Sequence, residues 1–306
     1  MADLFDKIFQ NFKTYFNNGY NLLKKLRDIY YGGPQDVTLQ WQDPDSGAIQ
    51  NLTVPSFAKM RDRFISDVNS VMYKKIFVDA QDGSDTSGDG SYSAPFKTID
   101  KALKSVIPGS AVEIILKPGV YTLIDDYYLC NNMIYLESYS SDQVDQVIVT
   151  HDIASQNFLG GFRLSNSTIT VRYLTIKTYN GDPNRLNSET VQYGYVRSIF
   201  GRANDGGFGY INFYSTKIEL NYGYLVNLSF GGDFYIVNLY TTQVKVNDTN
   251  SKLVYTERTH YPYVFSIHAS TIKDSSGNNL QWKDYLDGII RDSNGVPRNV
   301  ISNIVL

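Results

Sequence analysis

A motif that recurs four times in the second half of this 306-residue chain limits its fold more than any other feature. Ile169–Lys177 aligns with Ile211–Glu219, Val237–Lys245 and Phe265–Lys273. Each copy reads apolar, small polar, apolar, four mixed residues, apolar, charged. The starts at 169, 211, 237 and 265 are separated by 42, 26 and 28 residues. A unit of that length, made of strand and turn, cannot bury its own apolar face and must stack on copies of itself. Parallel stacking of such coils gives a β-helix. A propeller asks for about 40 residues per blade in four antiparallel strands, which only the first gap satisfies. A β-sandwich with accidental similarity is the remaining alternative.

The chain before the repeat has a different character. Leu4, Phe5, Ile8, Phe9, Phe12, Tyr15 and Phe16 recur at helical spacing and form one apolar stripe. Asn17-Asn18-Gly19 interrupts it, and a second stretch carries Leu22, Leu23, Leu26, Ile29 and Tyr30 before Gly32-Gly33-Pro34. The stripe either packs within its own domain or docks into another protein. Val37, Leu39 and Trp41, then Ile49, Leu52 and Val54, predict a hairpin around the turn sequence Asp43-Pro44-Asp45-Ser46-Gly47. Ser56 is an expected N-cap for a helix with Phe57, Met60, Phe64, Val68 and Val71 at near-heptad spacing. That seam closes either within one chain or between three chains. The domain boundaries expected are residues 1–72, 73–274 and 275–306.

The start of the second region carries a resemblance. Val78-Asp79-Ala80, Asp82-Gly83-Ser84-Asp85, Gly88-Asp89-Gly90 and Pro95-Phe96-Lys97-Thr98-Ile99-Asp100-Lys101-Ala102-Leu103 resemble the opening of pectate-lyase-like β-helix proteins. The resemblance covers about 30 residues and speaks to fold rather than function. It implies a strand entering the first coil, a Gly/Asp loop, and a short helix capping the open end of the core. With a helical and hairpin head in front, the layout is similar to bacteriophage tail fibres and tailspikes, and Arg291–Val300 has the look of fibre C-termini. The fold expected is mainly β, a right-handed parallel β-helix with a small N-terminal helical and hairpin part.

That resemblance implies a virion protein, usually a homotrimer, attached through its N-terminal part, with Leu4, Phe5, Ile8, Phe9, Phe12 and Phe16 as the attachment stripe. Phe57, Met60, Phe64, Val68 and Val71 would then form the trimer helix. The function expected is a structural fibre or spike involved in host attachment. The alternatives are a tailspike-type polysaccharide depolymerase and a purely structural virion adaptor.

Composition agrees with a binding surface without demanding one. The chain holds 25 Tyr, 16 Phe and 2 Trp at a net charge of −3. Tyrosine offers a flat apolar face with a polar tip, although aromatic residues also simply populate strands. Tyr210, Tyr214, Tyr222, Tyr224, Tyr235 and Tyr240 follow the glycine-aromatic stretch Phe200–Tyr210, which reads as a lateral loop. Tyr210, Tyr214, Tyr222, Tyr224 and Tyr240 are the candidate contacts for a host surface glycan. The near-neutral balance gives no basic stripe, so nucleic acid is not an expected partner, and no apolar segment suits membrane insertion.

No catalytic group, cofactor or metal site is expected. A glycosidase needs two carboxylates facing one sugar. Among Glu137, Asp145, Asp152, Glu189, Asp205, Asp233 and Glu257, no two fall at matching positions of adjacent repeats. Asp85, Ser87 and Asp89 before Gly90 mimic the start of a calcium loop, but Phe96 stands where the closing glutamate belongs. A loop closed by its own aspartates is the stronger reading. His151, His260 and His268 are scattered, and the single Cys130 reads as a buried thiol.

Overall fold

The computed structural model describes residues 36–42, 48–62, 73–152, 160–181, 198–202, 207–228, 234–256 and 262–306, and positions 6, 7, 9, 10, 13, 17, 23–25 and 27–29. The chain divides into two compact units, Met1–Val71 and Met72–Leu306.

In the first unit the described positions up to 29 are helical. Phe9 lies there with 65% of its surface exposed, whereas Leu4, Phe5, Ile8, Phe12 and Phe16 lie outside the described residues. Strands β1 (Asp36–Gln42) and β2 (Ile49–Pro55) pair antiparallel, Asp36 opposite Pro55 and Gln42 opposite Ile49, as the hairpin reading requires. Ser56 caps the following helix: its Oγ accepts from the Lys59 amide at 3.1 Å. Phe57 and Met60 are helical and exposed, while Phe64, Val68 and Val71 lie outside the described residues.

The second unit is mainly β. After β3 (Tyr73–Val78) and a helix (Ile99–Lys104), strands come in threes. They are β4 (Ala111–Leu116), β5 (Gly119–Leu123) and β6 (Asp126–Cys130); β7 (Met133–Ser138), β8 (Val147–His151) and β9 (Gly161–Ser165); and β10 (Ser167–Arg172), β11 (Thr175–Lys177) and β12 (Ser198–Arg202). Next come β13 (Phe208–Tyr214), β14 (Lys217–Leu220) and β15 (Tyr224–Asn227), then β16 (Phe234–Tyr240), β17 (Gln243–Val246) and β18 (Lys252–Tyr255). The series ends with β19 (Tyr263–His268), β20 (Thr271–Asp274) and β21 (Val300–Ser302).

Every third strand joins the same sheet. Among the described residues β3, β4, β7, β10, β13, β16, β19 and β21 form one sheet of eight; β5, β8, β11, β14, β17 and β20 form one of six; β6, β9, β12, β15 and β18 form one of five. All pairings in these sheets are parallel. The architecture is compatible with a β-helix-like fold, and antiparallel sandwich sheets are excluded over the repeat.

The register is the one the repeat dictates. Ile169, Ile211, Val237 and Phe265 stand opposite one another in turn, and so do Ile176, Ile218, Val244 and Ile272. Alternation then sends whole rows inward. Val112, Ile134, Ile169, Ile211, Val237 and Phe265 make one buried row; Tyr121, Val149, Ile176, Ile218, Val244 and Ile272 make a second. Tyr127, Phe162, Phe200, Val226 and Val254 make a third, with Phe162 and Phe200 stacked at 5.4 Å. Burying each such side chain contributes roughly 1.5–3 kcal/mol before chain entropy is charged. A one-residue slip would expose all of them, so the register is strongly specified.

Polar ladders hold the corners between the first two sheets. The fifth residue of each copy, Tyr173, Ser215, Thr241 or Ala269, has φ between 47° and 56°, a left-handed turn built without glycine. The next residue in three copies is a hydroxyl: Thr216, Thr242 and Ser270 each donate to the carbonyl two residues back and to a carbonyl of the preceding copy. On the outer side of the sheet Asn212 donates to Thr170, Asn238 Nδ2 donates to Asn212 Oδ1 at 3.0 Å, and Ser266 donates to Asn238. Replacing Asn238 by leucine should therefore cost about 1–3 kcal/mol, because it strands the buried Asn212 oxygen. Urea unfolding of the purified chain would show it, and a loss under about 0.5 kcal/mol would remove the ladder from the account of stability.

The helix Ile99–Lys104 starts at Thr98, whose hydroxyl accepts from the Lys101 amide, and Ile99, Ala102 and Leu103 join the core. The Asp-rich loop closes on itself. Asp85 accepts from the amides of Lys97 and Thr98 and from the Thr98 hydroxyl, and Asp79 accepts from the amides of Gln81 and Asp82. These bonds hold the Asp79 and Asp85 carboxyls below their usual range, although burial works in the opposite direction. Beyond residue 274, Trp282–Tyr285 forms a 3-10 turn, Tyr285 and Leu286 are buried, and β21 pairs with β19.

Candidate functional site on the outer face of the eight-stranded sheet

The side chains that alternate with the buried rows of this sheet face away from the core. One outward row runs through Phe77, Ile115, Glu137, Arg172, Tyr214, Tyr240 and His268, one residue per strand. Parallel strands lie about 4.8 Å apart, so these side chains form a regular array. Tyr214 and Tyr240 stack face to face at 4.6 Å and 5°, and His268 follows at 6.2 Å from Tyr240. Two and three outward positions before Tyr214, with Asn212 between, lie Tyr210, half-buried, and Phe208, which stacks on both Tyr210 and Phe234.

The other end of the row is charged. The Arg172 guanidinium lies 4.7 Å from the centre of the Tyr135 ring and 5.9 Å from that of Tyr214. Its nearest carboxylate is Glu137, at 3.6 Å. Glu113, on the adjacent strand, receives Lys75 at 2.9 Å and the Tyr73 hydroxyl at 2.8 Å. Glu113 and Glu137 lie diagonal to each other on neighbouring strands of this face. Burial, and then the neighbouring Glu113, push the Glu137 carboxyl up. Burial also acts to raise Glu113, but the bonds from Lys75 and Tyr73 outweigh it and hold that carboxyl down. One cluster thus contains two cations and two carboxyls of opposite tendency.

The expected site residues separate. Tyr210, Tyr214 and Tyr240 come together on this face. Tyr224 stacks on Tyr255 at 3.9 Å in the five-stranded sheet, and Tyr222 bridges to Tyr179. Tyr235 is core: its ring lies over Gly209, where any Cβ would sit 2.2 Å from it, and its hydroxyl donates to the Gly201 carbonyl. Of the stretch expected as a lateral loop, 200–202 and 208–210 are strand, with Phe200 in the buried row, and 203–206 lie outside the described residues. Cys130 is half-buried rather than buried.

Sequence reasoning missed Glu113. It lies before the first aligned copy, where no repeat marks the register, yet β4 pairs with β7 and places it diagonal to Glu137 on the same face. Glu189, Asp205, Asp233, Glu257 and His260 lie outside the described residues. Among the described residues no three His, Cys, Asp or Glu side chains converge as metal ligands. Comparison with known protein families, curated proteins and solved structures returns no match to this chain.

Proposed function

We propose that the chain is a fibre or spike protein of a virus particle, of the bacteriophage tail-fibre type. Its second unit is then a right-handed parallel β-helix that attaches to a host surface glycan. The observation that carries this reading is the outward row Arg172–Tyr214–Tyr240–His268, set on coils whose spacing the core fixes. Tyr214 and Tyr240 cover each other's faces, so a sugar would meet their ring edges and hydroxyls, and a rigid array presents these without an ordering cost. The exposed Phe9 and the aromatic stripe around it support docking of the N-terminal part into another virion protein, with Phe57 and Met60 on the helix that joins three chains.

A second reading, a glycan depolymerase, is favoured by the pair Glu113 and Glu137, whose carboxyls are driven apart in acidity as an acid and a base would be. Their existing partners decide against it: Glu113 already holds Lys75 and the Tyr73 hydroxyl, and Glu137 faces Arg172, so both carboxyls are committed to the surface network rather than to a sugar. The binding reading therefore stands first.

The test is a set of host capsule and lipopolysaccharide preparations, scored for binding and for chain length. Binding without shortening is expected. The double variant Tyr214→Ala/Tyr240→Ala should bind about tenfold more weakly, taking aromatic contacts at roughly 0.5–1.5 kcal/mol each. Unchanged affinity would move the site elsewhere, and shortened glycan would establish the depolymerase.

A further inference from the structure

We infer that Arg172 is a carboxylate-recognising subsite of the outer face, and that the glycan class it selects is acidic, bearing uronic-type carboxyls. The inference rests on the glycan-attachment reading and goes beyond it in naming the ligand chemistry and a control by protons.

Three features of Arg172 carry it. The guanidinium is held in place by Tyr135 on one side and Tyr214 on the other, so little freedom is lost when it meets a ligand. The side chain keeps 37% of its surface open to solvent. Its one described ion-pair partner, Glu137, stands at 3.6 Å, longer than the 2.7–2.9 Å of a close charged hydrogen bond. A planar, fixed, half-satisfied guanidinium beside the partly exposed edge of Tyr214 fits a carboxylate on a sugar. The fork can take two oxygens while the Tyr214 edge and hydroxyl meet the rest of the sugar.

The protonation of Glu137, whose carboxyl burial and the neighbouring Glu113 push up, modulates the charge that such a ligand meets. Glu137 faces Glu113 and, beyond it, Lys75 and Tyr73 from the strands on one side, Arg172 from the strand on the other, and Tyr135 on its own strand. With Glu137 protonated, Lys75 and Arg172 outweigh the single negative charge of the pair, and the cluster attracts anions. With Glu137 ionised, its carboxylate stands beside Arg172 and competes for it. Binding of an acidic glycan should thus be stronger at about pH 5 than at about pH 8.

The experiment uses the full chain and a panel of capsular oligosaccharides, each in native form and with its carboxyls reduced to alcohols, in calorimetric titrations at both pH values. At least one acidic oligosaccharide should bind roughly tenfold or more tightly than its reduced counterpart. Arg172→Gln should erase that preference, so that native and reduced forms bind with equal affinity. Glu137→Gln should keep the preference and flatten its pH dependence. Equal binding of native and reduced forms, lost in Tyr214→Ala/Tyr240→Ala but not in Arg172→Gln, would overturn this inference and leave glycan attachment standing. If no oligosaccharide binds, both fail together.

Discussion

Replacing Arg163 by leucine is expected to destabilise the second unit by about 3–5 kcal/mol, the usual cost of removing one partner from a buried ion pair. Arg163 lies on β9 and is almost wholly buried, with 4% of its surface exposed. Its Nη2 meets Asp126 Oδ1 on β6 at 2.7 Å, and its Nη1 donates to the Ser198 carbonyl on β12 at 3.3 Å. One side chain therefore bonds three neighbouring strands of the five-stranded sheet. The chain makes room for it with glycines: a Cβ at Gly161 would stand 2.7 Å from Nη1, and one at Gly201 would stand 3.4 Å away. Without the guanidinium, a largely buried Asp126 carboxylate and the Ser198 carbonyl lose that partner.

The pH dependence distinguishes this cause from simple loss of packing. Burial pushes the Asp126 carboxyl up, and the charge of Arg163 works against that rise. Removing Arg163 raises it further. A carboxyl whose folded pKa lies above its unfolded value gains stability as pH falls, because the folded state then takes up the proton. The deficit of the leucine variant should shrink on acidification, and Asp126→Asn placed on top of it should recover part of the loss at neutral pH. Urea unfolding of the two variants and the parent at two pH values checks both statements. A deficit that is the same at each pH would mean that Asp126 is not the group left stranded.

The sequence announces the stacked parallel strands and conceals the sites, for one physical reason. A core row is a sum over many similar residues, so Ile169, Ile211, Val237 and Phe265 align by character alone, and their structural register is the sequence alignment. A functional row is made of unlike residues. Glu137, Arg172, Tyr214, Tyr240 and His268 share a position and nothing else. Parity carried part of the missing signal. Tyr235 is two residues before the core residue Val237 and so points inward, while Tyr240 is three residues after it and points outward. The corner turns gave no signal, since Tyr173, Ser215, Thr241 and Ala269 adopt a left-handed backbone that glycine or asparagine would normally advertise. Arg163 was equally hidden, because a charged residue between Phe162 and Leu164 reads as a solvated outward position. Before Ile169 no repeat is visible to fix the register, which is why Glu113 went unpaired with Glu137.

Acidification should destabilise the parent chain through His151, well above the range in which carboxylates titrate. His151 ends β8 with 2% of its surface exposed. Burial drives its pKa down to about 3; the bond to the Gly160 carbonyl resists this, and the nearby charge of Arg163 adds to it. The ring is therefore neutral at physiological pH, with Nδ1 donating to Gly160 at 3.1 Å. In the unfolded chain the same ring titrates at about 6.5. A folded pKa below the unfolded one gives stability that is complete above about pH 6.5 and is lost as pH falls toward the folded value, at up to about 1.4 kcal/mol per pH unit. Near pH 4.5 the loss from this one ring should reach about 2–3 kcal/mol. Asp79, Asp85 and Glu113, whose carboxyls are held down, add their own losses in the same direction, but only at lower pH. His151→Asn separates the two contributions, since an amide can still donate to Gly160 and does not titrate. From about pH 7.5 to 5 its unfolding free energy should escape the decline due to the ring, so that it gains on the parent as pH falls, while the raised Asp126 and Glu137 carboxyls act alike in both. Parallel curves across that window would show that the ring takes up its proton in the folded state as readily as in water.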